Sequence, residues 1–215
     1  MTVPALVLLA VTVLIGYVLG AVPSGVIVGR LRGVDPRASG SGRTGTTNAL
    51  RTLGLAGAIA VAFMDLGKGA LAVILARLIV ATAGGELADW AGAAAGVAAV
   101  IGHVRSVFIG FGGGRGVATG AGAAALVVPL GLLAAGPVFL LTVWRTRLVS
   151  LGSIMAAITV PTAAAILLSA GWVDVPALAF GMATGVVITL AHADNIVRLR
   201  AGTERRLGEP VEPGR

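Results

Sequence analysis

Cysteine is absent from the 215 residues, so neither a disulfide framework nor a thiolate metal site can form. Charge is scarce: 12% of residues are Asp, Glu, Lys or Arg, against roughly 25% in an ordinary soluble domain. The nine acids and two histidines are scattered, which speaks against a dedicated metal cage. Lysine is nearly missing too, since 15 of the 16 basic residues are arginine and Lys68 is the exception. Apolar residues take up the room, at 57% of the chain and a mean hydropathy of +0.99. They form long continuous runs rich in Ala, Leu, Val and Gly, not the short alternating segments of a membrane β-barrel. The fold class this implies is all-α, a polytopic helix bundle embedded in lipid. The formal net charge of +7 does not point to nucleic acid, because the arginines lie between apolar spans. There they orient helices and face anionic lipids or a phosphorylated substrate.

About twenty residues cross the hydrocarbon core. Residues 3–22, 54–76, 90–104, 150–170 and 176–193 are candidate spans. No basic residue precedes the first run, as one would in a secretory leader, so it reads as a retained helix. The 28 residues from Val117 to Trp144 are too many for one untilted span. Pro129, Gly131, Gly136 and Pro137 near the middle suggest two short helices. The positive-inside rule favours that division. With seven spans and an external N-terminus, Arg30, Arg32, Arg37, Arg43 and Arg51 share one cytoplasmic loop. Arg105 and Arg115 share the next, Arg145 and Arg147 the third, and Arg198, Arg200, Arg205, Arg206 and Arg215 follow the last span. Glu86, Asp89 and Asp174 fall outside, and Arg77 lies near the outer face. Residues 1–202 read as one transmembrane domain and 203–215 as a basic, mobile cytoplasmic tail.

The first inner loop carries Gly40-Ser41-Gly42-Arg43-Thr44-Gly45-Thr46-Thr47-Asn48, then Arg51. Glycines that turn N–H groups inward, together with hydroxyls and guanidinium groups, are what a phosphate needs. The bland alternative is a flexible polar connector. The second inner loop reads Gly110-Phe111-Gly112-Gly113-Gly114-Arg115-Gly116 and enters a helix at Val117, where free N–H groups favour an anion. Neither a Walker loop nor a dinucleotide fingerprint fits this run. His192, Asn195 and Arg198 are spaced to share one broad face at the end of the last helix. His103 reads mainly as structural, Asp65 and Lys68 as a mutual intramembrane ion pair, and Ser150 as the N-cap of the sixth span.

In this order the motifs resemble those of the bacterial membrane acyltransferases that move a fatty acyl group from acyl phosphate to glycerol 3-phosphate. Pro23-Ser24-Gly25 with Gly29-Arg30 is similar to the family's opening. Gly40-Ser41-Gly42 with Gly45-Thr46-Thr47-Asn48 and Arg51 resembles its first loop. Asp65-Leu66-Gly67-Lys68-Gly69 and Gly102-His103 also match. Gly113 through Thr119 resembles the second loop, and His192 through Arg198, with Gly202 and Glu204, the third. Arg43 stands where the family usually has Asn, and Arg115 where it usually has Lys.

The resemblance implies direct transfer to the 1-position of glycerol 3-phosphate, giving lysophosphatidate and phosphate for phospholipid synthesis, without a cofactor or an acyl-enzyme. It implies His192 and Asn195 as catalytic residues, with His192 taking or positioning the hydroxyl proton. Arg51, Arg115 and Lys68 would neutralise phosphate charge. Ser24, Ser41, Gly42, Thr46, Thr47, Asn48, Gly113, Gly114, Gly116 and Arg198 would complete the phosphate site. Ser150 and Ser153, with Asn195, would orient glycerol hydroxyls. The site would face the cytoplasm from the inner membrane, supplied by a soluble enzyme that makes acyl phosphate. The His-x4-Asp pattern of other glycerolipid acyltransferases is missing, since neither His103 nor His192 has Asp four residues on. The rivals from other classes are a small-anion transporter and a lipid-binding scaffold. A transporter would place its polar residues nearer the midplane, often in repeated halves.

Overall fold

The computed structural model describes residues 3–85 and 87–209. Glu86, and residues 210–215 of the expected tail with Arg215 among them, lie outside the described residues. Its regular elements are helices: α1 (Val3–Ala21), α2 (Ser24–Arg30), α3 (Thr46–Ala81), α4 (Ala88–Val104), α5 (Val117–Val127), α6 (Pro129–Thr146), α7 (Val149–Ser169), α8 (Val175–Ala191) and α9 (Ala193–Arg200). A single turn of 3-10 helix, Val107–Ile109, lies between α4 and α5.

The long central run does divide. Val128 leaves helical geometry (φ −146°, ψ 64°) and Pro129 opens α6. Proline suits that first position because it has no N–H to lose there, and it pushes the residue before it out of the helix. Four stretches are long and apolar enough to cross a membrane: Leu6–Arg30, Thr46–Ala81, Pro129–Thr146 and Val149–Ser169. The α8–α9 pair makes a fifth if it is taken as one bent span. The 17 residues of α4 and the 11 of α5 are shorter. At ~1.5 Å per residue, α5 is about 16 Å long, roughly half the hydrocarbon thickness.

Three local features depart from the sequence reading. The last helix is not continuous: it bends by 60° at His192 and restarts as α9. Ser150 does not cap α7, whose N-cap is Leu148; its hydroxyl lies inside the first turn and donates to Glu204 at 2.8 Å. Part of the expected tail is held down as well, because Arg147 and Leu207 exchange backbone and guanidinium hydrogen bonds. Arginine side chains also repair breaks in helices. The α3 helix starts at Thr46 and breaks at Gly54 (φ 73°, ψ −177°), and Arg32 donates to the Leu53 carbonyl beside it at 2.9 Å.

Small residues hold the bundle together. Cβ atoms on Gly16 and Gly20 of α1 would strike the backbone of Ala95 and Ala99 on α4, and those on Gly69 and Gly122 would strike the facing backbones of α5 and α3. Lipid supplies no hydrophobic drive for helix pairing, so such close approach carries the packing. The outer surface is apolar, with Leu14, Phe63, Leu133 and Leu140 all exposed. The helices α3, α5, α7 and α9 all begin at one end of the bundle, where the glycine loops lie.

Candidate active site

Asn48 is the organiser of the first loop. Its Nδ2 donates to the carbonyls of Pro36 (2.6 Å) and Arg43 (2.8 Å), and its Oδ1 accepts from the Ser41 N–H at 2.8 Å. Its side chain is thereby spent on holding the turn in shape. In the second loop the Gly114 N–H donates to the His103 carbonyl at 3.1 Å. A Cβ on Gly114 would strike His103 Nε2, and one on Gly113 would strike the His103 carbonyl. Glycine is required by that approach. The two loops touch, since a Cβ on Gly45 would lie 3.9 Å from Gly114 Cα.

Between them opens a cavity of ≈ 600 Å³. Its polar lining is formed by loop residues including Ser41, Arg43, Thr46, Thr47, Arg51, Arg115 and Gly116, together with Ser150, Ser153, His192, Asn195 and Arg198. The first turns of α3, α5, α7 and α9 all contribute to this wall. Each brings unpaired N–H groups and the positive end of a helix dipole, so the backbone itself favours an anion here. The same cavity is also lined by apolar residues of α3, α5, α6 and α7: Ala62, Ala118, Ala121, Leu132, Ala135, Phe139 and Ala156.

The charged lining residues pair with one another. Arg43, Arg51, Arg115, Arg198 and Arg205 face two carboxylates at the mouth, Asp194 and Glu204. Arg115 meets both oxygens of Asp194 at 3.1 Å and donates to the Ala191 carbonyl at 3.1 Å. Burial pushes the Arg115 guanidinium down from its ordinary value, and the Asp194 charge opposes that; an arginine keeps its proton throughout. Glu204 accepts from Ser150, Asn195 and the Arg198 Nε. Burial alone would raise its carboxyl, but these hydrogen bonds, Ser150 first, hold it below the usual range. Arg51 has no ion-pair partner among the described residues.

His192 is buried in the elbow between α8 and α9, and its Nδ1 lies 2.8 Å from the Ile188 carbonyl. A carbonyl only accepts, so Nδ1 must carry the hydrogen of the neutral ring. That leaves Nε2 with the lone pair. Asn195 Oδ1 is a second buried acceptor, with no hydrogen-bond partner among the described residues.

Residues 10–202 match the glycerol-3-phosphate acyltransferase family. The chain belongs to that family. It is 44% identical to glycerol-3-phosphate acyltransferase 1 of Deinococcus radiodurans, over 92% of this chain and 95% of the relative. It is 43% identical to the Thermus thermophilus enzyme of the same description, over 94% and 96%. Among solved structures, the integral membrane glycerol 3-phosphate acyltransferase PlsY (YgiH) in its glycerol 3-phosphate form superposes with a TM-score of 0.81. Identity is 35%, covering 93% of this chain and 96% of that one. Its lysophosphatidic acid form gives 0.80. The family and the apolar helices make this a multi-pass membrane protein.

Within this acyltransferase fold, four of the residues the sequence suggests for the site stand behind the cavity wall. Ser24 is buried in α2, and its Oγ has no hydrogen-bond partner among the described residues. Gly42 and Gly113 shape their loops from behind. Lys68 bonds to Asp65 at 2.9 Å and donates to the Val22 carbonyl at 2.9 Å, which ties the α1–α2 junction to α3. Conversely, the wall includes Arg43, Asp65, His103, Asp194, Glu204 and Arg205, which the site reading left out. Here Asp65 faces His103 Nδ1 at 3.4 Å, and Thr119 reaches the same nitrogen at 3.1 Å. The signal for His103 was its place at the end of a span directly before a glycine loop.

Proposed function

We propose that this protein transfers a fatty acyl group from acyl phosphate to the 1-hydroxyl of glycerol 3-phosphate, releasing lysophosphatidate and inorganic phosphate for bacterial phospholipid synthesis. The observation that carries this reading is the mixed lining of one cavity. Arginines and first-turn N–H groups suit phosphate, and the apolar residues that helices contribute to the same cavity suit an acyl chain. The names of the relatives supply the acceptor.

The chemistry asks for position and charge more than for a covalent intermediate, because acyl phosphate is already activated. The acceptor hydroxyl oxygen bonds to the acyl carbon, the bond from that carbon to the phosphate oxygen breaks, and phosphate leaves with the electron pair. His192 Nε2 takes the hydroxyl proton. Asn195 Oδ1 and Ser153 orient the glycerol hydroxyls, and Ser150 shares that task through Glu204. Arg51 and Arg115, with the first-turn N–H groups of α3 and α5, hold the phosphates alongside Ser41, Thr46, Thr47, Gly114, Gly116 and Arg198. Asn48, Gly42 and Gly113 keep the loops in the shape this needs, and Ser24 and Lys68 support them from behind. The reading includes seven crossings of the plasma membrane, an external N-terminus and the cavity mouth on the cytoplasmic side. Water-soluble glycerol 3-phosphate then enters from the cytoplasm, and a soluble enzyme supplies acyl phosphate.

Purified protein incubated with glycerol 3-phosphate and either acyl phosphate or acyl-CoA tests the assignment. Lysophosphatidate is expected from acyl phosphate without added metal. Turnover with acyl-CoA alone, or activity abolished by a chelator and restored by one divalent ion, would overturn it.

A further inference from the structure

Guanidinium groups from three separate segments converge on one carboxylate at the cavity mouth. Arg115, from the second glycine loop, grips Asp194 through both Nη atoms at 3.1 Å. Arg198, from α9, reaches Asp194 Oδ2 at 3.4 Å. Arg43, from the first loop, places Nη2 4.0 Å from Oδ1. Among the described residues neither Arg43 nor Arg115 pairs with any other carboxylate, whereas Arg198 is shared with Glu204 at 2.7 Å. Asp194 is not sealed in: its side chain is 42% exposed, and all four residues line the cavity.

Three like charges gathered this closely repel one another unless an anion lies among them. The fork of a guanidinium fits the paired oxygens of a carboxylate and those of a phosphate equally well. The group that holds these arginines together is therefore a chemical relative of the group they would bind. We propose that Asp194 is an internal stand-in for a phosphate group, holding Arg43, Arg115 and Arg198 together between turnovers and giving way when a phosphorylated ligand arrives.

This rests on the reading that the cavity takes phosphorylated substrates, and it makes Asp194 a positioning and specificity residue. A phosphate dianion brings more charge and a third oxygen, so it gains by displacing the carboxylate. A monoanion exchanges one charge for one and gains little. Asp194 thereby sets a threshold that favours phosphate monoester dianions over carboxylates or phosphodiester monoanions of similar size.

The test uses inorganic phosphate as the probe on the full chain in detergent, read by thermal unfolding and by inhibition of acyl transfer. Wild type is expected to melt higher as phosphate is added. Asp194→Asn, which keeps the shape but drops the charge, is expected to melt lower in phosphate-free buffer and to bind phosphate about five- to tenfold more tightly. Its KM for glycerol 3-phosphate should fall in step, while Arg115→Gln weakens phosphate binding. Phosphate affinity unchanged or weakened in Asp194→Asn overturns the stand-in role alone. No phosphate effect on wild type overturns the phosphate reading of the cavity along with it. An Asp194→Asn protein that cannot be recovered folded even in phosphate also overturns the role, since phosphate should take the missing carboxylate's place.

Discussion

At the scale of single residues, a main-chain atom fixes which nitrogen of the proposed base His192 is free to act. The Ile188 carbonyl accepts from Nδ1, and this one contact decides which nitrogen keeps a lone pair. A general base typically contributes about 10²–10⁴-fold. His192→Ala is therefore expected to lose kcat on that scale, with a smaller change in KM. His192→Asn should recover part of the rate, because an amide can still position the hydroxyl even though it cannot take the proton. Steady-state kinetics on protein that remains monodisperse in detergent checks both. Wild-type kcat in His192→Ala would remove the imidazole from the reaction.

At the scale of helices, close approach through small side chains governs assembly, and glycines of the same bundle divide into two kinds. Gly20 lies against the Ala99 backbone, whereas a Cβ on Gly67 would meet nothing within 4 Å. Gly20→Ala is expected to destabilise by about 1–3 kcal/mol through overpacking. Gly67→Ala should be neutral or stabilising by up to about 1 kcal/mol through helix propensity. Thermal unfolding of the two variants in one detergent compares them directly, and equal losses would contradict this account of the packing.

The breaks between elements were legible where backbone chemistry marks them. Pro129 announced the division at Val128, and Gly54 stood at the expected start of the second span. The bend at His192 was not legible, because no Gly or Pro marks it and the apolar run passes straight through Ala191. What accompanies it is tertiary: beyond the bend Asn195 and Arg198 bond to Glu204, which is contributed by a later segment. The site was visible for a related reason. In a chain this poor in polar residues, two glycine-rich loops with arginines stand out, and they do meet. Asp194 and Glu204 are not legible as site residues, because an acid among arginines looks like ordinary surface pairing until its partners are known.

At the scale of the whole molecule, orientation follows from where the arginines fall. The chain contains no cysteine, so single cysteines introduced for labelling face no background. Those placed at Gly112, Arg145 and Arg205 are expected to react with an impermeant reagent only from the cytoplasmic side, and one at Asp174 only from outside. Labelling of the Gly112 and Arg145 substitutions from opposite sides would rule out seven crossings.

The strap formed by residues 203–209 has a consequence for how the protein is made. Arg205 donates to the Gly40 carbonyl across 165 positions of sequence, and Glu204 joins Ser150, Asn195 and Arg198. The ribosome delivers the first arginine loop early and the acids that steady the cavity late. A nascent chain therefore carries its glycine loops at the membrane surface, without Asp194 or Glu204 beside them, through most of its synthesis. On the proposed reading the reaction centre is the last part of the protein to come into being, and a chain that stops short of Glu204 is expected to insert as a bundle without acyl transfer.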